Sequence, residues 1–253
     1  MEIGAAADTL LAILLASLRI APVLAFAPPF TLLRIPVSIR LIVSLSLASF
    51  FLPAWAGTLS AATLSSADII GLSASELLIG LSVAMPLQIV FGAMLFAGRA
   101  IDIQAGFALA LLADPANSGQ MPLIGTLFAY CAGAVFFAVG GPMDLMAIWA
   151  GSFVLLPPGA TPLIPDPAAL LVTVSSAFAI AIGLAGIVLL TLFMIDLTVA
   201  ATSRTLPQVP VLLLGFQVKT IAVLVTVPLA ISLSGAIYLR LIRLALQSPS
   251  NLF

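Results

Sequence analysis

The sequence has no histidine, a single cysteine and very little charge. Without histidine, a Ser-His or Cys-His nucleophile is excluded, and the usual zinc, haem and iron–sulfur ligand sets are all but excluded. Cys131 has no partner for a disulfide within the chain and lies in an apolar run, where it reads as a small buried hydrophobe. The formal net charge of −1 offers no basic surface to nucleic acid. No glycine-rich phosphate-binding loop occurs, so no nucleotide site is expected. Charged residues make up 7% of the chain, against roughly 25% in soluble domains, so most of its surface must face something other than water. These absences point to a protein that is not an enzyme and carries no cofactor.

What the chain has instead is apolar length. Hydrophobic residues are 63% of it, and residues 41–67, 77–98, 115–143, 167–195 and 220–239 contain no charge. Each run reaches the roughly 20 residues that a membrane-spanning helix needs. The expected fold is all-α: a polytopic membrane protein whose 253 residues form one integral membrane domain. Its apolar segments are about 9–30, 41–55, 68–98, 122–155, 168–195 and 209–239, with a polar loop at 104–121. Ala25-Phe26-Ala27 has the small-x-small form of a signal-peptide cleavage site. Glu2 and Asp8 stand where positive charge is needed, however, and Arg19 interrupts the apolar core, which argues against cleavage.

Several segments are overlong and broken by Pro28-Pro29, Pro86 or Gly140-Gly141-Pro142. In lipid, a broken helix is tolerated where neighbouring protein or a water-filled cavity satisfies the freed backbone. The breaks therefore suggest helical hairpins buried against partners, or simple kinked helices in a compact bundle. Basic residues alternate between loops: Arg34 and Arg40, then Arg99, then Arg204. By the preference of cytoplasmic loops for Lys and Arg, this puts the N-terminus outside. Six crossings would put the tail outside as well, yet it carries Arg240 and Arg243. Either the last segment is not a simple span, or the protein is not a plain six-helix bundle.

Charges inside apolar segments are candidate functional groups: Arg19, Glu76, Asp102, Asp196 and Lys219. Asp196 and Lys219 flank the turn at Arg204 and are placed to pair across a helical hairpin. Arg19 has no partner close in sequence. Glu76 is the strongest candidate for a proton-carrying carboxylate, although such residues also serve as buried pairs that fix assembly. The stretch Gln104 to Pro115 has nine apolar residues between polar ends, followed by turn chemistry at Asn117-Ser118-Gly119. It is too short to span, and reads either as a re-entrant, pore-facing constriction or as a short packed helix.

At these residues the chain resembles a known family, the FliR/SctT family of the type III export gate. The similar pieces run in order over nearly the whole length. They are Leu18-Arg19, Ala27-Pro28, Ile35-Pro36 and Arg40; Glu76-Leu77-Leu78-Ile79-Gly80; Ala97-Gly98, Ile101-Asp102, Gln104, Gly106-Phe107, Asp114-Pro115 and Pro122; Gly140-Gly141, Ser152-Phe153, Leu156-Pro157 and Gly159; and Asp196-Leu197, Arg204, Pro207-Gln208, Gly215-Phe216 and Lys219. The chain departs at Pro142, where the family often has His, near Val37 and Ser38, where it often has bases, and at Gln217, where it often has Pro. The resemblance implies a subunit of a helical export-gate assembly with FliP-like and FliQ-like subunits and an FlhB-like switch protein. It places the protein in the bacterial inner membrane, at the flagellar basal body, passing unfolded exported proteins. It further implies a pore plug, here Gln104, Gly106, Phe107, Leu109, Leu111, Leu112, Asp114, Pro115 and Met121. Arg19, Glu76, Asp102, Asp196, Arg204 and Lys219 are expected to form a buried polar network for assembly. An injectisome subunit is the alternative within the family, and a proton-coupled small-molecule transporter is the alternative outside it.

Overall fold

The computed structural model describes residues 2–32, 35–55, 64–107, 122–158, 167–205 and 211–250. Among them are nine α-helices and no strand: α1 Glu2–Phe26, α2 Pro28–Leu32, α3 Val37–Phe51, α4 Ser66–Ala105, α5 Leu123–Ala138, α6 Gly141–Leu155, α7 Pro167–Thr205, α8 Val211–Leu233 and α9 Gly235–Ser250. Four are long and apolar enough to cross a membrane, and α5 with α6 passes the same test as a broken pair. The chain is an all-α polytopic membrane protein. With 40 and 39 residues, α4 and α7 are each about 60 Å long, roughly twice the thickness of the hydrocarbon core. The segment read as 41–55 is shorter than a span. Its helix, α3, has 15 residues and tightens into a 3₁₀ turn at Leu52–Trp55, where Pro53 has no N–H with which to continue the helix.

The chain divides into two compact units. The first comprises Met1–Ile89, Phe136–Thr173 and Ile242–Phe253. Its core is formed by Leu15, Ile20 and Val23 of α1, Ile79, Val83 and Leu87 of α4, and Leu145, Trp149 and Phe153 of α6. α3 turns its small residues Ser44 and Ala48, one turn apart, inward. α4 approaches α1 so closely at Gly80 that a Cβ there would lie 2.5 Å from the Arg19 carbonyl oxygen and 2.9 Å from that of Leu18. The start of α4 is a reciprocal cap: the Ser65 N–H donates to Asp68 Oδ2 at 2.9 Å and the Asp68 N–H to Ser65 Oγ at 3.3 Å.

The break after α1 shows how an interrupted helix survives in an apolar setting. The Ala25 carbonyl would normally accept from the N–H of residue 29, but Pro29 has none. The Phe26 carbonyl would accept from Phe30, whose N–H goes to Ala27 instead. Two other helices supply donors. Arg40 Nη1 of α3 donates to the Ala25 oxygen at 3.1 Å, and Gln88 Nε2 of α4 donates to that of Phe26. A second break, at Gly140, uses the left-handed region (φ 82°) before Gly141 and Pro142 restart the chain as α6.

The second unit comprises Val90–Val135 and Val174–Leu241. Gly98 of α4 faces Gly125 of α5, and a Cβ on Gly98 would fall 2.2 Å from the Gly125 Cα. α7 and α8 meet where Val199 packs on Gly215. At Gly80 the obstacles are the two carbonyl oxygens and the rigid Pro22 ring, with no flexible side chain to yield. Gly80→Ala should therefore lower stability by about 1–3 kcal/mol, the usual cost of overpacking. A downward shift of the thermal midpoint of the purified protein or its complex checks this, and an unchanged midpoint would show that the α1–α4 crossing opens freely.

Candidate functional site

Arg19 is fully buried, as is Glu76. Its Nε donates to Glu76 Oε2 at 2.7 Å. Its Nη1 donates to the Ser152 carbonyl at 2.7 Å, and its Nη2 to that of Leu156 at 3.1 Å. The guanidinium carbon also sits 4.8 Å from the centroid of the Phe153 ring, which stacks on Phe51 at 5.2 Å. Leu156 ends α6 in an extended conformation (φ −118°, ψ 92°), just before Pro157-Pro158. Arg19 thus does two things at once. It neutralises the one carboxylate buried beside it, and it caps the C-terminus of α6, where the macrodipole favours a cation. The planar fork of five donors suits both tasks; a lysine could not reach three acceptors in three directions. Glu76, read as a candidate proton carrier, is held in this ion pair.

In the second unit the chain prepares the two ends of the 106–121 connection. Gly106 takes φ 87° and stops α4. Its N–H donates to the Ile103 carbonyl at 3.1 Å, and the Phe107 N–H to that of Asp102 at 2.9 Å. This 5→2, 6→1 pair is a Schellman cap. It leaves the Gln104 carbonyl free, and Lys219 Nζ of α8 donates to that oxygen at 3.0 Å. The same ammonium pairs with Asp196 Oδ1 of α7 at 2.5 Å. One turn before Lys219, the Phe216 ring lies against Gly106, 3.1 Å from where a Cβ would be.

At the other end, α5 begins after Pro122, which has no side-chain acceptor to cap it. The acceptor comes from α4: the Ile124 N–H donates to both carboxylate oxygens of Asp102, at 3.1 and 3.2 Å, and the amides of Leu123 and Gly125 also point to that carboxylate. Asp102 is 3% exposed.

The expected buried network is therefore two separate clusters. Arg19 and Glu76 meet in the first unit; Asp102, Asp196 and Lys219 gather around the end of α4 in the second. Two readings are corrected. Arg204 is exposed in the last turn of α7, because it tops a helix end where solvent competes successfully for its charge. Asp196 and Lys219 pair, but with side chains 42% and 18% exposed, so theirs is not a buried salt bridge. Of the plug residues, Gln104, Gly106 and Phe107 are placed at the end of α4, whereas Leu109, Leu111, Leu112, Asp114, Pro115 and Met121 lie outside the described residues. Gly106 is a fixed helix stop. The sequence reading missed the Ser152 and Leu156 carbonyls, Arg40 and Gln88 as caps, and the Gly98–Gly125 crossing. The Pro28-Pro29 pair was the available signal for the first break, since it frees carbonyls one turn upstream.

Replacing Arg19 by Met strands a buried carboxylate and the Leu156 carbonyl, and leaves the Ser152 carbonyl only the Leu156 N–H, so it should cost at least the roughly 3–5 kcal/mol typical of breaking a buried pair. Glu76→Gln keeps an acceptor for Nε and should cost less; equal losses from the two would show that the capping bonds contribute nothing. For the half-exposed pair, a double-mutant cycle on Asp196→Ala and Lys219→Ala should give a coupling of only about 0.2–1 kcal/mol. Lys219→Ala alone should be the more damaging, because it also abandons Gln104.

The family described as bacterial export proteins, family 1, matches residues 10–245. The flagellar biosynthetic protein FliR of Escherichia coli (strain K12) is 26% identical over 167 residues, which is 66% of this chain and 61% of that protein. The chain thus spans somewhat under two thirds of the length of that relative. The FliR of Aquifex aeolicus (strain VF5) is 26% identical over 227 residues, 88% of this chain and 87% of that protein. That of Bacillus subtilis (strain 168) is 26% identical over 72% of this chain and 71% of its own. A family match over nearly the whole chain, on a fold of broken apolar helices, establishes that this protein belongs to the bacterial export proteins, family 1.

Proposed function

We propose that the chain is a pore-forming, non-enzymatic subunit of the flagellar type III protein export gate in the bacterial inner membrane, and that residues 104–121 plug its pore. In this reading it assembles with FliP-like and FliQ-like subunits and an FlhB-like switch protein at the basal body. Unfolded flagellar subunits pass through the assembly. The flagellar assignment draws on the relatives, each named a flagellar biosynthetic protein.

The observation that carries the plug reading is the root of the 106–121 connection. A Schellman stop, a lysine on the last carbonyl and a carboxylate from the departing helix capping the returning one give the connection two fixed ends. Residues 106–113 of the connection are apolar, with one aromatic, Phe107, and the aliphatic Leu109, Leu111 and Leu112. Such a surface excludes water from a constriction and offers ions no ligand. The large apolar side chains left exposed on α7 and α8, among them Leu190, Phe193, Leu224 and Leu233, fit a subunit that is completed by lipid and neighbouring subunits.

Deleting residues 108–115 spares Gly106, Phe107 and the Asp102 cap, so the gate should still assemble. Ion permeability should rise several-fold, while export of flagellar subunits continues. Potassium efflux from cells expressing the full gate, with assembly followed by co-purification of the partner subunits, measures this. An assembled deletion variant as tight as the parent would sink the plug reading.

A further inference from the structure

We infer that α9 is a helix of the cytoplasmic membrane surface whose Arg240 and Arg243 engage the headgroups of anionic phospholipids. Its residue pattern is amphipathic. Tyr238, Leu241, Ile242, Ala245 and Leu246 recur at the i, i+3, i+4, i+7, i+8 spacing of one helix face, and all are buried. Arg240, Arg243 and Gln247 share the other face and are exposed. No acidic residue occurs in α9, and among the described residues neither arginine forms an ion pair. Residues three apart are neighbours on a helix surface, so two guanidinium groups with no counter-charge stand side by side. Each presents a planar fork of donors, the geometry that matches a phosphate.

The position of α9 in the chain puts these groups at a membrane surface. α8 is apolar over Leu214–Leu233, 20 residues and about 30 Å, which is the thickness of the hydrocarbon core. α9 follows it without a linker. The Ser234 carbonyl accepts the Ile237 N–H at 2.9 Å and the Tyr238 N–H at 3.1 Å, so α9 starts where α8 stops. The step from Leu233 to Arg240 is at most about 10 Å of helix, and an arginine side chain extends its apolar stem to bring its charge to an interface. The side of the membrane follows from the number of crossings. α3 is shorter than a span, so α1, α4, the broken α5–α6 pair, α7 and α8 make five. An odd number puts α9 on the side opposite to the start of α1. With the start of α1 outside, Arg34, Arg40, Arg240 and Arg243 fall on the cytoplasmic side, and Arg99 and Arg204 on the other. The reverse orientation inverts that ratio, against the preference of cytoplasmic segments for Lys and Arg. The conflict that six crossings create for Arg240 and Arg243 thereby disappears. The cytoplasmic leaflet also carries the negative surface potential that attracts arginines next to a span.

The test uses the purified protein, with the subunits that co-purify with it, in phosphatidylcholine nanodiscs. These are doped with phosphatidylglycerol that carries a photoreactive group near the head of one acyl chain. Crosslinking should map to α9. Arg240→Gln combined with Arg243→Gln should lower the yield by roughly tenfold or more, since a basic side chain at an anionic surface contributes about fivefold. Arg240→Lys combined with Arg243→Lys should keep most of it. Both positions are exposed, so the thermal midpoint should stay that of the parent, and the lost yield then reports on lipid. A phosphatidylcholine probe with the same chains should crosslink far less. For sidedness, Gln247→Cys in a Cys131→Ser background should react with a membrane-impermeant maleimide in inverted inner-membrane vesicles and not in right-side-out spheroplasts. An unchanged yield in the double glutamine variant, equal yields from the two lipid probes, or labelling in spheroplasts overturns the proposal. An unchanged yield that comes with loss of a co-purifying subunit would assign the arginines to an acidic partner protein instead. Where the glutamine variant fails to assemble, the two lipid probes on the unmutated protein still decide.

Discussion

A backbone carbonyl released inside an apolar surrounding needs a donor, and in this chain that donor comes from a different helix. An unsatisfied peptide group in hydrocarbon costs several kcal/mol, which is comparable to the whole margin by which a protein is stable. Three helix ends therefore require a particular neighbour. The break after α1 needs α3 and α4, because Arg40 and Gln88 hold the carbonyls of Ala25 and Phe26. The end of α6 needs α1, through Arg19. The end of α4 needs α8, through Lys219. Hydrophobic burial alone would let such helices slide and rotate against one another with little penalty; these bonds fix which turn faces which.

The same requirement accounts for the placement of charge. Of the eight basic residues, Arg19, Arg40 and Lys219 each donate to a carbonyl at or near a helix C-terminus. Their signs agree with the macrodipole, and Asp102, at the N-terminus of α5, obeys the same rule with opposite sign. Glu76 and Asp196 then follow as counter-charges to two of the cations. A polytopic protein with so few charges spends most of its intramembrane ones on ending and starting helices. A file of carboxylates leading across the membrane is a different pattern from paired charges gathered at helix ends.

This explains what could and could not be read before the structure. The apolar runs and their interruptions are sequence-local, so the all-α membrane character was legible, as was the ending of helices near Pro28 and Gly140. The pairing of Asp196 with Lys219 was legible because both sit on one hairpin, separated by a turn. Arg19 with Glu76 was not, because 57 residues lie between them and nothing local selects that partner. Carbonyl acceptors leave no trace in residue identity, so Ser152 and Leu156 were invisible as partners of Arg19. Gly106 was legible as special but not in which sense: a glycine signals either freedom or a left-handed stop, and only the hydrogen bonds from the Gly106 and Phe107 N–H groups to the Ile103 and Asp102 carbonyls decide between them.

That distinction matters for how a plug would work. A helix that frays at its end passes gradually into a mobile segment, and any pull on the segment unwinds the helix. Here α4 is closed by two capping bonds, a lysine on the next carbonyl and a phenylalanine ring against the glycine. Unwinding the last turn would break all of these together, so α4 has a sharply defined end. On the returning side, Pro122 and the Asp102 carboxylate set an equally defined start for α5. The two ends of the connection are thus held by bonds that belong to α4, α5 and α8 themselves, so each helix end keeps its place through its own partners.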